Sequence, residues 1–200
     1  MLVIAITGGI CSGKSVVADM LKNLTFPVLD SDRVAHKIYE KGTGTYRKLI
    51  EHFGLQILLP DGSISRDILG GLVFHDRGAR LKLEKITHPS IEKRMRSFVK
   101  KREAEGYQAC FVEVPLIFEK GKKNLFDLII TVSTTMNTQI DRLISRDSLS
   151  RAEAQTRINS QMPLSEKVRS SDYVIDNSGT LEETLDQVKQ FVWQKILSGK

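Results

Sequence analysis

The run Gly8-Gly9-Ile10-Cys11-Ser12-Gly13-Lys14-Ser15 fits G-x-x-x-x-G-K-[ST], the spacing of a phosphate-binding loop. Glycines without a Cβ let backbone N–H groups turn inward toward an anion. The positive end of a following helix adds to the same field. Lys14 supplies a point charge for the β- and γ-phosphates, and the Ser15 hydroxyl suits Mg²⁺. Two further groups of residues bear on the same chemistry. Asp30-Ser31-Asp32 follows a short apolar run, and Arg142, Arg146, Arg151 and Arg157 punctuate a polar stretch. A carboxylate can take a proton from an attacking hydroxyl, and arginines can neutralise a phosphoryl group in transfer. Each group also has a plain structural reading. Asp30, Ser31 and Asp32 are all good helix caps, and the arginines suit a solvated hairpin around Asp147-Ser148-Leu149-Ser150.

The elements needed to position these residues are legible on either side. Leu2–Thr7 is apolar on both faces and reads as a central parallel strand. Ser12–Leu24 carries helical spacing through Val16, Val17, Met20 and Leu21. Phe26–Asp30 reads as a second strand with Pro27 at its start, where the missing N–H does little harm. Ala109–Val114, Leu128–Val132 and Tyr173–Ile175 supply three more strands. Strands alternating with helices predict an α/β fold with a five-stranded parallel sheet of the P-loop NTPase type. Asp32 and the Asn177-Ser178-Gly179 loop then follow strand ends, where ligands bind in such sheets. Between Lys41 and Gly106 no convincing strand appears, and His88-Pro89 predicts a break between helices. The expected organisation is one domain: a core of 1–40, 107–137 and 170–200, a helical lobe inserted over 41–106, and a lid over 138–169. An amphipathic helix through Leu181, Leu185, Val188 and Val192 closes the chain, with Thr180 or Ser178 available to cap it.

Bulk properties narrow the function classes. The net charge is +6, from 30 Lys and Arg against 24 Asp and Glu. That favours an acidic partner, which a polyphosphate satisfies, and the basic residues are not interleaved with aromatics as in a nucleic-acid groove. The two cysteines, Cys11 and Cys110, form neither a disulfide framework nor a zinc cluster, so a reducing compartment, the cytoplasm, is expected. The first apolar run is too short for a signal peptide, and no stretch has the length of a membrane span. No Asn-Lys-x-Asp guanine signature occurs, and the D-x-x-G match at Asp67–Gly70 falls within a helical pattern, which argues against a GTP-binding switch.

Several motifs together carry a resemblance. They are Thr-Gly-Gly-Ile-x-Ser-Gly-Lys-Ser from Thr7, Leu29-Asp30-Ser31-Asp32, Thr87-His88-Pro89-x-Ile91 and Val114-Pro115-Leu116-Ile117-Phe118-Glu119. Arg146-Asp147-x-Leu-Ser, Arg157-Ile158-x-x-Gln161 and the closing Asn-Ser-Gly follow. In this order, over nearly the whole chain, the sequence resembles the dephospho-CoA kinases. The resemblance implies an ATP-dependent transferase that phosphorylates the ribose 3′-hydroxyl of dephospho-CoA, giving coenzyme A and ADP, with Mg²⁺ on Ser15. It implies a catalytic group of Asp32, Lys14 and Arg146. ATP is expected on Gly8, Gly9, Cys11, Ser12, Gly13, Lys14, Ser15, Val16, Arg142, Asn177, Ser178 and Gly179. Dephospho-CoA is expected against Thr7, Asp32, His88, Pro115, Leu116, Phe118 and Glu119. It further implies a monomer or weak homo-oligomer with neither nucleic acid nor membrane as partner. One departure stands out: Cys11 occupies a place usually given to glycine, so a positive φ there strains a side chain. A kinase for another small acceptor, such as a nucleoside monophosphate, shares the loop and differs in the lobe.

Overall fold

The computed structural model describes residues 1–198, except the side chains of Asp32, Arg33, Ala35 and His75. Five strands, β1 (Leu2–Gly8), β2 (Val28–Asp30), β3 (Ala109–Glu113), β4 (Leu128–Ser133) and β5 (Tyr173–Asp176), form one sheet in the order β2-β3-β1-β4-β5. Parallel pairings join β1 to β3 and β4, and β4 to β5; Ile6 faces Glu113, and Gly8 faces Val132. The expected α/β fold is therefore present, with β1 at its centre.

Alternation along β1 accounts for its burial on both faces. Ile4 and Ile6 enter the main core with Val17 and Leu21 of α1 (Lys14–Asn23), Phe111 of β3, and Val188 and Phe191 of α9 (Leu181–Val192). Ala5 points the other way, against Ile117 and Ile129. Each of the larger side chains among these, the valines, leucines, isoleucines and phenylalanines, contributes about 1.5–3 kcal/mol by leaving water. Thr180 caps α9, accepting from the Glu183 amide at 3.2 Å, while the Glu183 carboxylate takes the Thr180 amide.

Two ends differ from the sequence reading. β2 begins at Val28 and not at Phe26, whose ring instead packs edge-on against Phe111 at 5.7 Å. Pro27 has no N–H for a ladder, so it contributes only its carbonyl, which accepts from the Phe111 amide. Likewise α1 starts at Lys14, because Gly13 at φ 99° cannot belong to a right-handed helix.

By its internal contacts the chain divides into Met1–Leu29 with Lys101–Lys200, and Asp30–Lys100. The second unit is helical: α2 (Ser31–Ile38), α3 (Gly44–Phe53), α4 (Arg66–His75) and most of α5 (Arg77–Ala104). Its core is Leu49, Phe53, Ile57, Ile64 and Leu69. Thr43 and Ser65 cap α3 and α4 through their hydroxyls. An isolated antiparallel bridge between Leu58 and Ile64 is its one strand-like feature among the described residues.

The break expected at His88-Pro89 is absent. α5 runs unbroken through Pro89 for 28 residues. The helix forgoes one hydrogen bond there, and Leu83 and Ile86 anchor the half ahead of the proline against the unit's core. Restoring an amide should therefore stabilise the helix. Pro89→Ala is expected to raise unfolding stability in urea by about 1–3 kcal/mol, the helix-interior proline penalty less the chain entropy that proline removes. A lowered midpoint would contradict this account of α5.

Candidate active site

The phosphate loop joins β1 to α1. Its carbonyls are tied off by donors, several of them from outside the loop. Lys14 Nζ folds back onto the carbonyls of Gly8 at 3.4 Å and Gly9 at 2.7 Å. Gln139 Nε2 reaches the Ile10 carbonyl at 2.5 Å, an Arg142 amino group the Cys11 carbonyl at 3.3 Å, and Asn177 Nδ2 the Ser12 carbonyl at 2.9 Å. The peptide units are thereby held with their oxygens outward. The amides of Cys11, Gly13 and Ser15 donate to no acceptor among the described residues. Free amides at a helix N-terminus form an anion site.

The close approach of the braces explains two glycines. A Cβ on Gly13 would lie 1.9 Å from Asn177 Nδ2, and one on Gly8 would lie 2.4 Å from the Val132 carbonyl oxygen. Cys11 does adopt a left-handed φ of 54°, the strained conformation foreseen for it. It is partly exposed, whereas Cys110 is fully buried, and burial above all pushes the Cys110 thiol up to about 11. Ser12 is buried beneath the loop, with its Oγ unpaired among the described residues and close to Gly8. Ser15 is exposed at the second residue of α1, and Val16 donates to the Gly13 carbonyl at 3.0 Å.

At the end of β5, Asn177 is 2 % exposed and fully engaged: its oxygen accepts from the Thr184 hydroxyl at 3.1 Å. Its part is to brace the loop. Ser178 and Gly179 beside it are exposed. A second amino group of Arg142 lies 3.4 Å from the Asn177 carbonyl, so Arg142 spans loop and strand end.

The predicted lid segment forms α6 (Met136–Asp147), α7 (Arg151–Asn159) and α8 (Leu164–Ser170). Arg146 does not reach the loop's carbonyls. It grips Asp147 through two hydrogen bonds of 2.8 and 3.1 Å, and Arg157 holds the same carboxylate at 2.7 Å. The Arg146 hydrogen bonds hold the Asp147 carboxyl below its usual range, so this clamp stays charged around neutral pH. Ser148 turns the chain at φ 54°, and a capping box of Ser150 and Glu153 starts α7.

Beside the loop, the Pro115 carbonyl accepts from the Thr7 hydroxyl at 3.2 Å and from Lys167 Nζ at 2.9 Å. Lys167 is completely buried and pairs with Glu119 at 2.8 Å; the same carboxylate oxygen also takes the Met162 amide. Lys167 and Glu119 thus fasten α8 and its approach to the segment after β3, and Thr7 ties β1 to that same segment. Leu116 is exposed, and Phe118 lies under the Lys123 ammonium at 5.4 Å. Sequence reasoning missed Gln139 and Lys167. A polar residue on a polar helix reads the same whether it meets water or a carbonyl far along the chain.

In the Asp30–Lys100 unit, Asp32 lies in the first turn of α2, with its side chain outside the described residues, and His88 lies half-buried on α5. A cavity of about 380 Å³ is lined by Lys48 of α3 and by Lys85, Lys93 and Arg94 of α5. No ion pair engages these four among the described residues, and no carboxylate lines the cavity.

The donor set around Ser15 is one exposed hydroxyl, and the described residues contain no cluster of three His, Cys, Asp or Glu side chains that could hold a metal. That fits a magnesium ion bound largely through phosphate oxygens and water. Asn177→Ala should release the Ser12 carbonyl and remove one of the two acceptors of the Thr184 hydroxyl, which keeps the Thr180 carbonyl at 3.0 Å. The expected cost is about 1–3 kcal/mol of stability in urea unfolding together with a higher KM for ATP. Unchanged values for both would remove Asn177 as the brace.

The comparisons with known proteins agree with this arrangement. A family model described as dephospho-CoA kinase matches residues 2–183. A dephospho-CoA kinase from Bacillus thuringiensis subsp. konkukian is 42 % identical over 188 residues, covering 94 % of each chain. The dephospho-CoA kinase structure from Campylobacter jejuni superposes with a TM-score of 0.74 at 29 % identity, covering 99 % of this chain and 98 % of that one. The crystal structure of TT1252 from Thermus thermophilus gives a TM-score of 0.86 at 32 % identity over 96 % of each chain. With its phosphate loop, parallel sheet and family motifs all in register, the chain belongs to the dephospho-CoA kinase family.

Proposed function

We propose that this protein transfers the γ-phosphoryl group of ATP to the ribose 3′-hydroxyl of dephospho-CoA, giving coenzyme A and ADP in the last step of coenzyme A synthesis. The observation that carries the reading is the row of outward-tied carbonyls, which leaves the loop amides for a polyphosphate. Family membership supports the choice of acceptor. Lys48, Lys85, Lys93 and Arg94 around the α3–α5 cavity, engaged in no ion pair among the described residues, support an anionic one.

In the proposed reaction the 3′-oxygen attacks the γ-phosphorus as the bond to the β,γ-bridging oxygen breaks. Asp32 accepts the hydroxyl proton, and ADP leaves. Lys14, already on the loop, shifts its ammonium from the Gly8 and Gly9 carbonyls to the phosphates. Arg146 leaves Asp147 to neutralise the moving group, with Arg142 at its side, while the α6–α8 segment serves as the lid that keeps out water. Ser15 would hold Mg²⁺, which would supply neutralisation of the charge that develops on transfer. Exposed Ser178 and Gly179 meet the adenine. Thr7 and Pro115 to Glu119 shape the acceptor side with His88. The described residues include no helix long and apolar enough to cross a membrane. With two free cysteines, the cytoplasm is the compartment we propose. The enzyme is proposed to work as a monomer or weak homo-oligomer, with no nucleic-acid partner.

Two tests follow. ADP release measured with dephospho-CoA, AMP and adenosine should favour dephospho-CoA by orders of magnitude; equal rates would refute the acceptor. In that assay Asp32→Asn should lose about 10²–10⁴-fold in kcat while still binding ATP. Near-normal turnover would take the base role from Asp32. Lys14→Ala should lose about 10²–10³-fold and weaken ATP binding as well. A thiol reagent near pH 8 should label one site, Cys11, because Cys110 is buried and titrates at about 11. ATP with Mg²⁺ should slow that labelling, and an unchanged rate would place the nucleotide elsewhere.

A further inference from the structure

A cavity of about 700 Å³ borders Gly9 and Ile10 of the phosphate loop and runs beneath α6, α7 and α8. Its wall is largely apolar, with Met136, Ile158, Met162, Leu164 and Val168. Arg169 is the one formal charge in the lining, and it is exposed. Such a wall repels a triphosphate. It suits a neutral, flexible chain. Ser133, Thr134, Gln139, Asn159 and Ser165 add polar side chains to the lining, and one polar atom in it stands alone: Gln161 Oε1 is buried there and has no partner among the described residues. Burying a carbonyl oxygen without a partner is unfavourable, and a ligand N–H offsets that on binding.

We propose that this cavity receives the amide-bearing pantetheine arm of the acceptor, with Gln161 Oε1 accepting from an amide N–H of the arm. The inference rests on the proposed acceptor and deepens it. Dephospho-CoA has one uncharged portion that is both aliphatic and rich in secondary amides, and the cavity matches it in both respects. Adenine also carries N–H donors, but the flank of the loop proposed for the nucleotide is that of Arg142 and Asn177, beside Gly13, whereas this cavity opens at Gly9 and Ile10. The site is also firmly built. Gln139 fixes the Ile10 edge, and Lys167 with Glu119 fixes the segment carrying Met162. Gln161 is thus a specificity residue for the arm, with no part in the phosphoryl transfer itself.

Steady-state kinetics on the full chain separate the possibilities. Gln161→Ala should raise KM for dephospho-CoA about five- to a hundredfold and leave KM for ATP within twofold. Gln161→Glu, which keeps an accepting oxygen, should recover most of the loss. Val168→Phe, which fills the cavity from its apolar side, should raise the same KM without involving Gln161. A rise in KM for ATP alone would make the cavity the base site, and a parallel rise in both constants would reduce Gln161 to a structural role; either overturns the proposal. So would unchanged constants in both Gln161→Ala and Val168→Phe. Should the wild-type protein fail to phosphorylate dephospho-CoA, the function reading falls. Calorimetry with pantetheine then still judges the cavity: heat with wild type that Val168→Phe abolishes supports it, and no heat refutes it.

Discussion

Everything in the described site depends on how the loop's peptide groups are oriented. A peptide unit that points its oxygen one way points its N–H the other, so holding carbonyls is the way to aim amides. Along Gly8–Ser12 each carbonyl has a side-chain donor: Lys14 for the first two, then Gln139, Arg142 and Asn177. The last three come from α6 and the end of β5, so the second half of the sheet fixes a loop made by the first strand. This preorganises the anion site before any ligand arrives, which lowers the reorganisation that charge transfer would otherwise demand.

The same logic runs through the rest of the first unit. Arg146 and Arg157 share Asp147, and Lys167 is lent to Glu119 and Pro115. Cations are held on protein partners of differing strength. Lys167 is fully buried, and breaking its pair would leave an uncompensated charge inside, so it belongs to the frame. The arginine clamp is exposed, worth little, and easily exchanged for a phosphate. Lys14 sits on two carbonyl groups, which a phosphate can outcompete. The groups proposed to act are the ones cheaply released, and the groups that shape the cavity are the ones buried.

The sequence makes the loop, the sheet and the order of elements legible because each is a local signal. A glycine motif lies between an apolar run and a helical period, and strands recur between helices. Non-local facts are harder to see. Gln139 lies 129 residues from the carbonyl it holds, and Lys167 sits in a stretch whose composition reads as solvated. His88-Pro89 misleads in the opposite sense. A residue before proline disfavours the helical region, yet α5 runs through, with Leu83 and Ile86 ahead of the proline packed on the unit's core. Asn177 was expected from motif resemblance to meet the nucleotide, and its side chain is spent on Ser12 and Thr184.

The central claim is that the amides of Cys11, Gly13 and Ser15 are aimed at a phosphate by carbonyls tied down behind them. Amide nitrogen and proton shifts followed by NMR during titration with Mg·ATP test it most directly. Large downfield shifts at those three amides, saturating together, are the predicted result. Amides that stay put while shifts gather elsewhere on the protein would contradict it.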